Sequence, residues 1–139
     1  MPPECNVTET HYYHREFTGC LISPDGVERH FIKGAYGREG DLPSIILVNG
    51  SQFWYKANPK RGGFGQPDAL QHRDGDKPAV IKENGDLFYY IDGKLHREND
   101  KPAVILTNGT LKWFIKKVCV AYQLPGMEKR VFNTKATQE

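Results

Sequence analysis

The 139-residue chain is short of cysteine, of net charge and of long apolar runs, and each shortage excludes a class of protein. Cys5, Cys20 and Cys119 are odd in number and irregular in spacing. They outline no disulfide framework and no Cys-x-x-Cys zinc pair, and they read as reduced thiols in a cytosolic setting. The 19 Lys and Arg nearly balance the 17 Asp and Glu, leaving +2. That excludes an acidic mimic of nucleic acid and supplies no basic excess that would by itself mark nucleic-acid binding. No apolar run approaches membrane-spanning length. The start, Met1-Pro2-Pro3-Glu4, lacks the basic and apolar regions of a signal peptide, so a cytoplasmic protein is expected. No stretch keeps helical periodicity; the best helix candidate is a short turn within Met127 to Thr134.

Catalytic spacings are missing too. Ser23, Ser44 and Ser51 stand outside any Gly-x-Ser-x-Gly elbow, and nothing singles out Cys119 as a nucleophile. The Gly-rich stretch near Gly62-Gly63 lacks the Gly-Lys-Ser/Thr ending of a phosphate-binding loop. No enzyme, cofactor or metal site is therefore expected. Asn49-Gly50-Ser51 and Asn108-Gly109-Thr110 match the glycosylation pattern, as does Asn6-Val7-Thr8, but Asn-Gly is first of all a turn dipeptide.

What the chain does have is turn residues, aromatics and a repeat. There are 14 Gly and 9 Pro, and seven Phe, seven Tyr and two Trp supply much of the apolar mass. His72-Arg73-Asp74 returns 24 positions later as His96-Arg97-Glu98. At the same offset, Lys77-Pro78-Ala79-Val80-Ile81 returns as Lys101-Pro102-Ala103-Val104-Ile105, Asn84-Gly85 as Asn108-Gly109, and Tyr89-Tyr90 as Trp113-Phe114. An earlier copy lies 35 positions upstream: Arg38, Pro43, Ile45-Ile46, Asn49-Gly50 and Trp54-Tyr55. The excess over the period is one insertion, residues 58–69. A degraded copy precedes it, with His14-Arg15-Glu16, Cys20-Leu21-Ile22, Asp25-Gly26 and His30-Phe31.

Each copy reads as strand, turn, strand. Proline opens the first strand because it lacks a donor. Asn-Gly is then expected to form a two-residue type I′ turn, with both residues at positive φ. The second strand, Asp86 to Ile91 in one copy, turns again at Asp92-Gly93, and Lys94 to Arg97 pairs back on it. Alternation sets Trp54, Tyr89 and Trp113 with His30 on one face, and Tyr55, Tyr90 and Phe114 with Phe31 on the other. The expected fold is all-β: an antiparallel meander of about four stacked β-hairpin repeats on a 24-residue period. The expected organisation is an N-terminal extension over 1–13, the repeat domain over 14–120 and a C-terminal tail over 121–139.

The run Gly93-Lys94-Leu95-His96-Arg97-Glu98, then Lys101-Pro102-Ala103, Asn108-Gly109-Thr110 and Trp113-Phe114, resembles the Leu-His-Arg-x-x-Gly-Pro-Ala hairpin repeats of bacterial, phage and viral reading frames. Those are similar to MORN repeats, and the resemblance covers about residues 14–120. The strict Tyr-x-Gly…Gly-x-Gly spacing of MORN repeats is absent here. The resemblance implies a MORN-like scaffold of stacked hairpins used for binding, commonly without catalysis. It points to a protein-interaction module, such as a phage or viral accessory protein acting on a host protein.

The candidate binding residues are of two kinds. Arg73 and Arg97 with Trp54, Tyr89 and Trp113 recur, and could bind phosphate and stack bases; this is the alternative function, nucleic-acid or anionic-ligand binding. Recurrence favours a structural role instead, with each Arg paired to the acid that follows it (Arg73 to Asp74, Arg97 to Glu98). The insertion does not recur, and it carries Lys60, Arg61 and Phe64. A loop that breaks a regular repeat is the better place for specific recognition. A protein partner is thus expected first. Homo-oligomers through exposed sheet edges are a further expectation.

Overall fold

The protein is described by a computed structural model, which covers residues 17–58 and 69–132 and the backbone of Cys5–Val7. All regular structure among the described residues is β-strand. The all-β expectation holds, and no helix is present there that could cross a membrane. The one helix candidate is corrected. Within its described part, Arg130–Val131 is a strand bonded to Ala121 and Tyr122.

The chain forms two compact units, Met1–Gln71 and His72–Glu139. The first holds β1 (Cys5–Val7), β2 (Gly19–Ile22), β3 (Glu28–Ile32), β4 (Ala35–Tyr36), β5 (Ile45–Ile46), β6 (Gln52–Phe53), β7 (Tyr55–Ala57) and β8 (Ala69–Gln71). Its sheet runs β1-β2-β3-β5-β6, with β4 also on β3, and β7 pairs β8 as a separate ribbon. The second unit holds β9 (Val80–Ile81), β10 (Leu87–Phe88), β11 (Tyr90–Ile91), β12 (Lys94–Leu95), β13 (Val104–Ile105), β14 (Leu111–Ile115), β15 (Val118–Gln123) and β16 (Arg130–Val131). Its sheet runs β9-β10-β13-β14-β15-β16, with β11–β12 as a separate ribbon. Pairing is antiparallel except that β1 lies parallel to β2.

The Asn-Gly turns differ from expectation in an instructive way. Only the glycine has positive φ: +88° at Gly26, +97° at Gly50, +100° at Gly85 and +99° at Gly109. Gly85 N–H donates to Lys82 O at 2.9 Å, and Lys82 N–H to Asp86 O at 2.9 Å. The same two bonds close the turns at Gly26, Gly50 and Gly109. This is a three-residue loop, a type I turn followed by a glycine bulge, not a two-residue type I′ turn. Asparagine serves through its side chain. Oδ1 of Asn49, Asn84 and Asn108 accepts the N–H of Ser51, Asp86 and Thr110 at 2.9, 3.0 and 2.9 Å. The type I′ geometry occurs instead at Asp92-Gly93, with φ of +52° and +81°.

The second strand of each copy is also not continuous. It breaks at Trp54 between β6 and β7, breaks at Tyr89 between β10 and β11, and shifts register between Trp113 and Phe114 within β14. The residue at the break is the buried one. Trp54, Tyr89 and Trp113 are 6, 8 and 7 % exposed, and His30 is 5 % exposed. Tyr55, Tyr90 and Phe114 are only half-buried, whereas Phe31, expected in the same column, is buried at 3 % exposure. Small residues stand just before the first strands: Ser44, Ala79 and Ala103 are buried. Each large aromatic so buried contributes roughly 1.5–3 kcal/mol of hydrophobic stabilisation.

The expectation of three reduced thiols is corrected as well. Cys20 is disulfide-bonded, and Cys119 is a free thiol. The parallel register of β1 on β2 sets Cys5 opposite Cys20.

Candidate functional site

The recurring polar residues are best followed one at a time. His72 accepts the N–H of Asp92 at Nδ1, 3.0 Å, and its Nε2 meets Asp74 Oδ1 at 2.7 Å. His96 accepts the N–H of Lys116 at Nδ1, 2.9 Å, and its Nε2 meets Glu98 at 3.4 Å. Each imidazole thus binds the turn 20 residues on, while the acid two residues on takes its other nitrogen. An acceptor at Nδ1 places the proton on Nε2, facing the carboxylate. Both ring nitrogens are occupied in this way, which leaves neither for a ligand.

The arginines also reach inward. Nη1 of Arg38, Arg73 and Arg97 donates to the carbonyl five residues on: Pro43 at 3.3 Å, Pro78 at 3.0 Å and Pro102 at 3.0 Å. Arg97 further grips Asp76, with Nε–Oδ1 2.8 Å and Nη2–Oδ2 3.4 Å, and Lys101 joins at 3.1 Å. Glu98, the acid expected to pair with Arg97, goes to His96 instead. The Arg97 and Lys101 hydrogen bonds hold the Asp76 carboxyl down to about 2. The Arg97 guanidinium also lies 3.8 Å from the Tyr89 ring centroid. Near the end of the second unit, Lys129 does for Asp100 and Trp113 what Arg97 does for Asp76 and Tyr89: 2.8 Å to Asp100 Oδ1 and 4.3 Å to the Trp113 ring centroid.

These contacts border a cleft of about 230 Å³ in the second unit, lined by Arg73, Lys77, Tyr89, Tyr90 and Arg97 among others. Burial pushes the Tyr90 hydroxyl above its ordinary value. The cleft offers two guanidinium groups, an ammonium and two phenols, partly offset by Asp76 and Glu98. That set can hold an anionic or aromatic group by contact.

Of the sequence-predicted binding residues, Arg73, Arg97 and Tyr89 meet at this cleft. Trp54 is buried in the first unit, with Nε1 donating to Asp41 O at 3.2 Å. Trp113 is buried in the second, donating to Asp100 O at 3.0 Å. Lys60, Arg61 and Phe64 lie outside the described residues. Sequence reasoning missed Asp76, although its signal was present. Asp41, Asp76 and Asp100 recur at the repeat spacing, and all take φ near +55°. Exposed large apolar side chains among the described residues of the second unit lie toward its last strands: Val118, Leu124, Met127, Val131 and Phe132.

Comparison with family models, with curated proteins and with solved structures finds no match to this chain.

Proposed function

We propose that this chain is a scaffold of stacked β-hairpin repeats of the MORN-variant kind, and that it acts by holding a protein partner and not by catalysis. The observation that carries this reading is what the recurring side chains do. His72 and His96 bind turns, Arg38, Arg73 and Arg97 bind proline carbonyls, and Trp54 and Trp113 bind backbone at aspartate. Bonds that return at a 24-residue step support a repeat scaffold whose polar residues serve its own joints. Recognition then falls to what does not recur, the 58–69 insertion with Lys60, Arg61 and Phe64.

The test is partner capture from cell lysate by the wild-type chain, repeated with Phe64→Ala and with the pair Lys60→Glu, Arg61→Glu. A partner captured by wild type should be lost from both variants while their thermal melting stays unchanged. Capture that survives both changes, or is lost only together with folding, refutes the assignment to the insertion.

The cleft favours one other reading, an anionic ligand such as single-stranded nucleic acid held by Arg73, Lys77 and Arg97. The engagement of Arg97 with Asp76 and the burial of Trp54, Tyr89 and Trp113 weigh against it. Those rings have little free face on which bases could stack. A gel-shift titration decides it, because phosphate contacts weaken steeply as salt rises.

A further inference from the structure

The degraded first copy departs from the others at three positions that meet in space. Where later copies have Ser44, Ala79 and Ala103, it has Cys20; where they have Trp54, Tyr89 and Trp113, it has His30. Where they have Gln52, Leu87 and Leu111, it has Glu28. Inert positions in three copies thus hold a thiol-bearing residue, an imidazole and a carboxylate in one. A scaffold joint has to occur in every copy, whereas a site needs to occur once.

Strand geometry explains why the three converge. Cys20 and His30 are direct cross-strand partners on β2 and β3, and Glu28 lies two residues before His30, on the same face. One ligand atom from each falls within 4.8 Å of the others. Cys20 is fully buried, His30 is 5 % exposed, and His30 Nε2 lies 2.6 Å from Glu28 Oε2. Arg38 Nη1 stands 3.8 Å behind that carboxylate.

We propose that reduction of the Cys20 disulfide converts this cluster into a zinc site with Cys20, His30 and Glu28 as ligands. In the oxidised chain the Cys20 sulfur is committed to the S–S bond, and only a thiolate binds zinc. A cellular dithiol delivers two electrons and two protons across that bond, forming its own disulfide and two protein thiols. Zinc then displaces the Cys20 proton, and a water completes four-coordination. The donor set selects the metal: thiolate and imidazole suit zinc and not calcium or magnesium. With zinc bond lengths of about 2.0–2.3 Å, neighbouring ligand atoms sit roughly 3.3–3.8 Å apart. The present 2.6 Å His30–Glu28 contact has to open by about an ångström. Charge is also matched. With water as the fourth ligand, zinc with one thiolate, one carboxylate and a neutral imidazole carries no net charge.

The experiment uses the full chain with Cys119→Ser, so that the free thiol plays no part. The protein is reduced with a phosphine and titrated with Co²⁺, then with Zn²⁺. Reduced protein should take up one Co²⁺, with thiolate-to-cobalt absorption and the strong visible bands of a tetrahedral site, and Zn²⁺ should abolish both. Oxidised protein should show neither. Glu28→Gln, close to isosteric, and His30→Gln should each weaken binding about 10–100-fold, with tryptophan emission reporting that the fold persists. Absence of the thiolate–cobalt band in reduced protein overturns the proposal. So does equal binding by the oxidised form, unchanged affinity in both ligand variants, or loss of native emission on reduction that zinc does not restore. The partner reading stands or falls separately.

Discussion

The bulge glycines allow the turn assignment to be tested by a graded series, because one backbone geometry recurs in different surroundings. Gly50 and Gly109 have almost the same φ, +97° and +99°. A Cβ at Gly50 would meet nothing within 4 Å, whereas one at Gly109 would meet the Pro125 ring at 3.3 and 3.5 Å and its Cα at 3.7 Å. Gly50→Ala therefore reports backbone strain alone. Left-handed backbone costs a non-glycine residue about 1–2 kcal/mol. The stiffer unfolded chain returns about 0.4–1 kcal/mol. A net loss of between about 0 and 1.6 kcal/mol is expected. Gly109→Ala adds the displacement of a rigid ring, and overpacking of this kind costs about 1–3 kcal/mol, so about 2 kcal/mol or more is expected in total. With a urea slope of about 1–3 kcal/mol/M, the midpoints should fall by about 0.5 M and about 1 M respectively. Each unit contains one tryptophan, Trp54 or Trp113, so the summed tryptophan emission responds to unfolding of either unit. Gly50→Asn should be milder than Gly50→Ala, because asparagine tolerates positive φ better. A clearly stabilising Gly50→Ala would refute the bulge geometry. Equal losses at Gly50 and Gly109 would refute the steric part of the reasoning.

Two further outcomes follow from the second unit. The Asp76 carboxyl is held below its ordinary 3.8, to about 2, by Arg97 and Lys101. A depressed carboxylate stabilises the fold above its unfolded value, and that contribution is lost as pH falls through the folded value. Urea midpoints of wild type should therefore drop between about pH 4 and pH 2, and Asp76→Asn should show a shallower drop there; parallel profiles would exclude the Arg97–Lys101 clamp. His96→Ala removes the acceptor for the Lys116 N–H and should cost about 0.5–1.5 kcal/mol, with His96→Asn, which keeps an acceptor, recovering part of it. No loss on His96→Ala would mean that water serves Lys116 equally well.

Much of the fold was legible because β-structure follows local rules. The 24-residue offset, the turn dipeptides and the alternation of aromatics were enough to place strands β9 to β14 and the Asp92-Gly93 turn, but not to say which aromatic column is buried. The Asn-Gly turns were located but misdescribed. A dipeptide marks where the chain reverses, while the number of residues in the loop depends on which carbonyl Gly85 and its counterparts meet. The helix candidate near Met127 failed for a related reason: a short polar stretch has no periodicity of its own, and β15 offered Arg130 and Val131 a strand to pair with.

The sequence by itself determined which residues recur, and so which ones a repeating joint could use; it also isolated the 58–69 insertion as the part that does not recur. Only the tertiary structure decided what each recurring residue does. Arg97 passes over the adjacent Glu98 to hold Asp76, and His96 holds the turn at Lys116, because hairpin pairing brings residues about 20 apart in sequence within hydrogen-bonding distance. The convergence of Cys20, Glu28 and His30 was hidden for the same reason. Cross-strand neighbours are set by register, and register depends on the length of the turn between them, which the residues of either strand do not reveal.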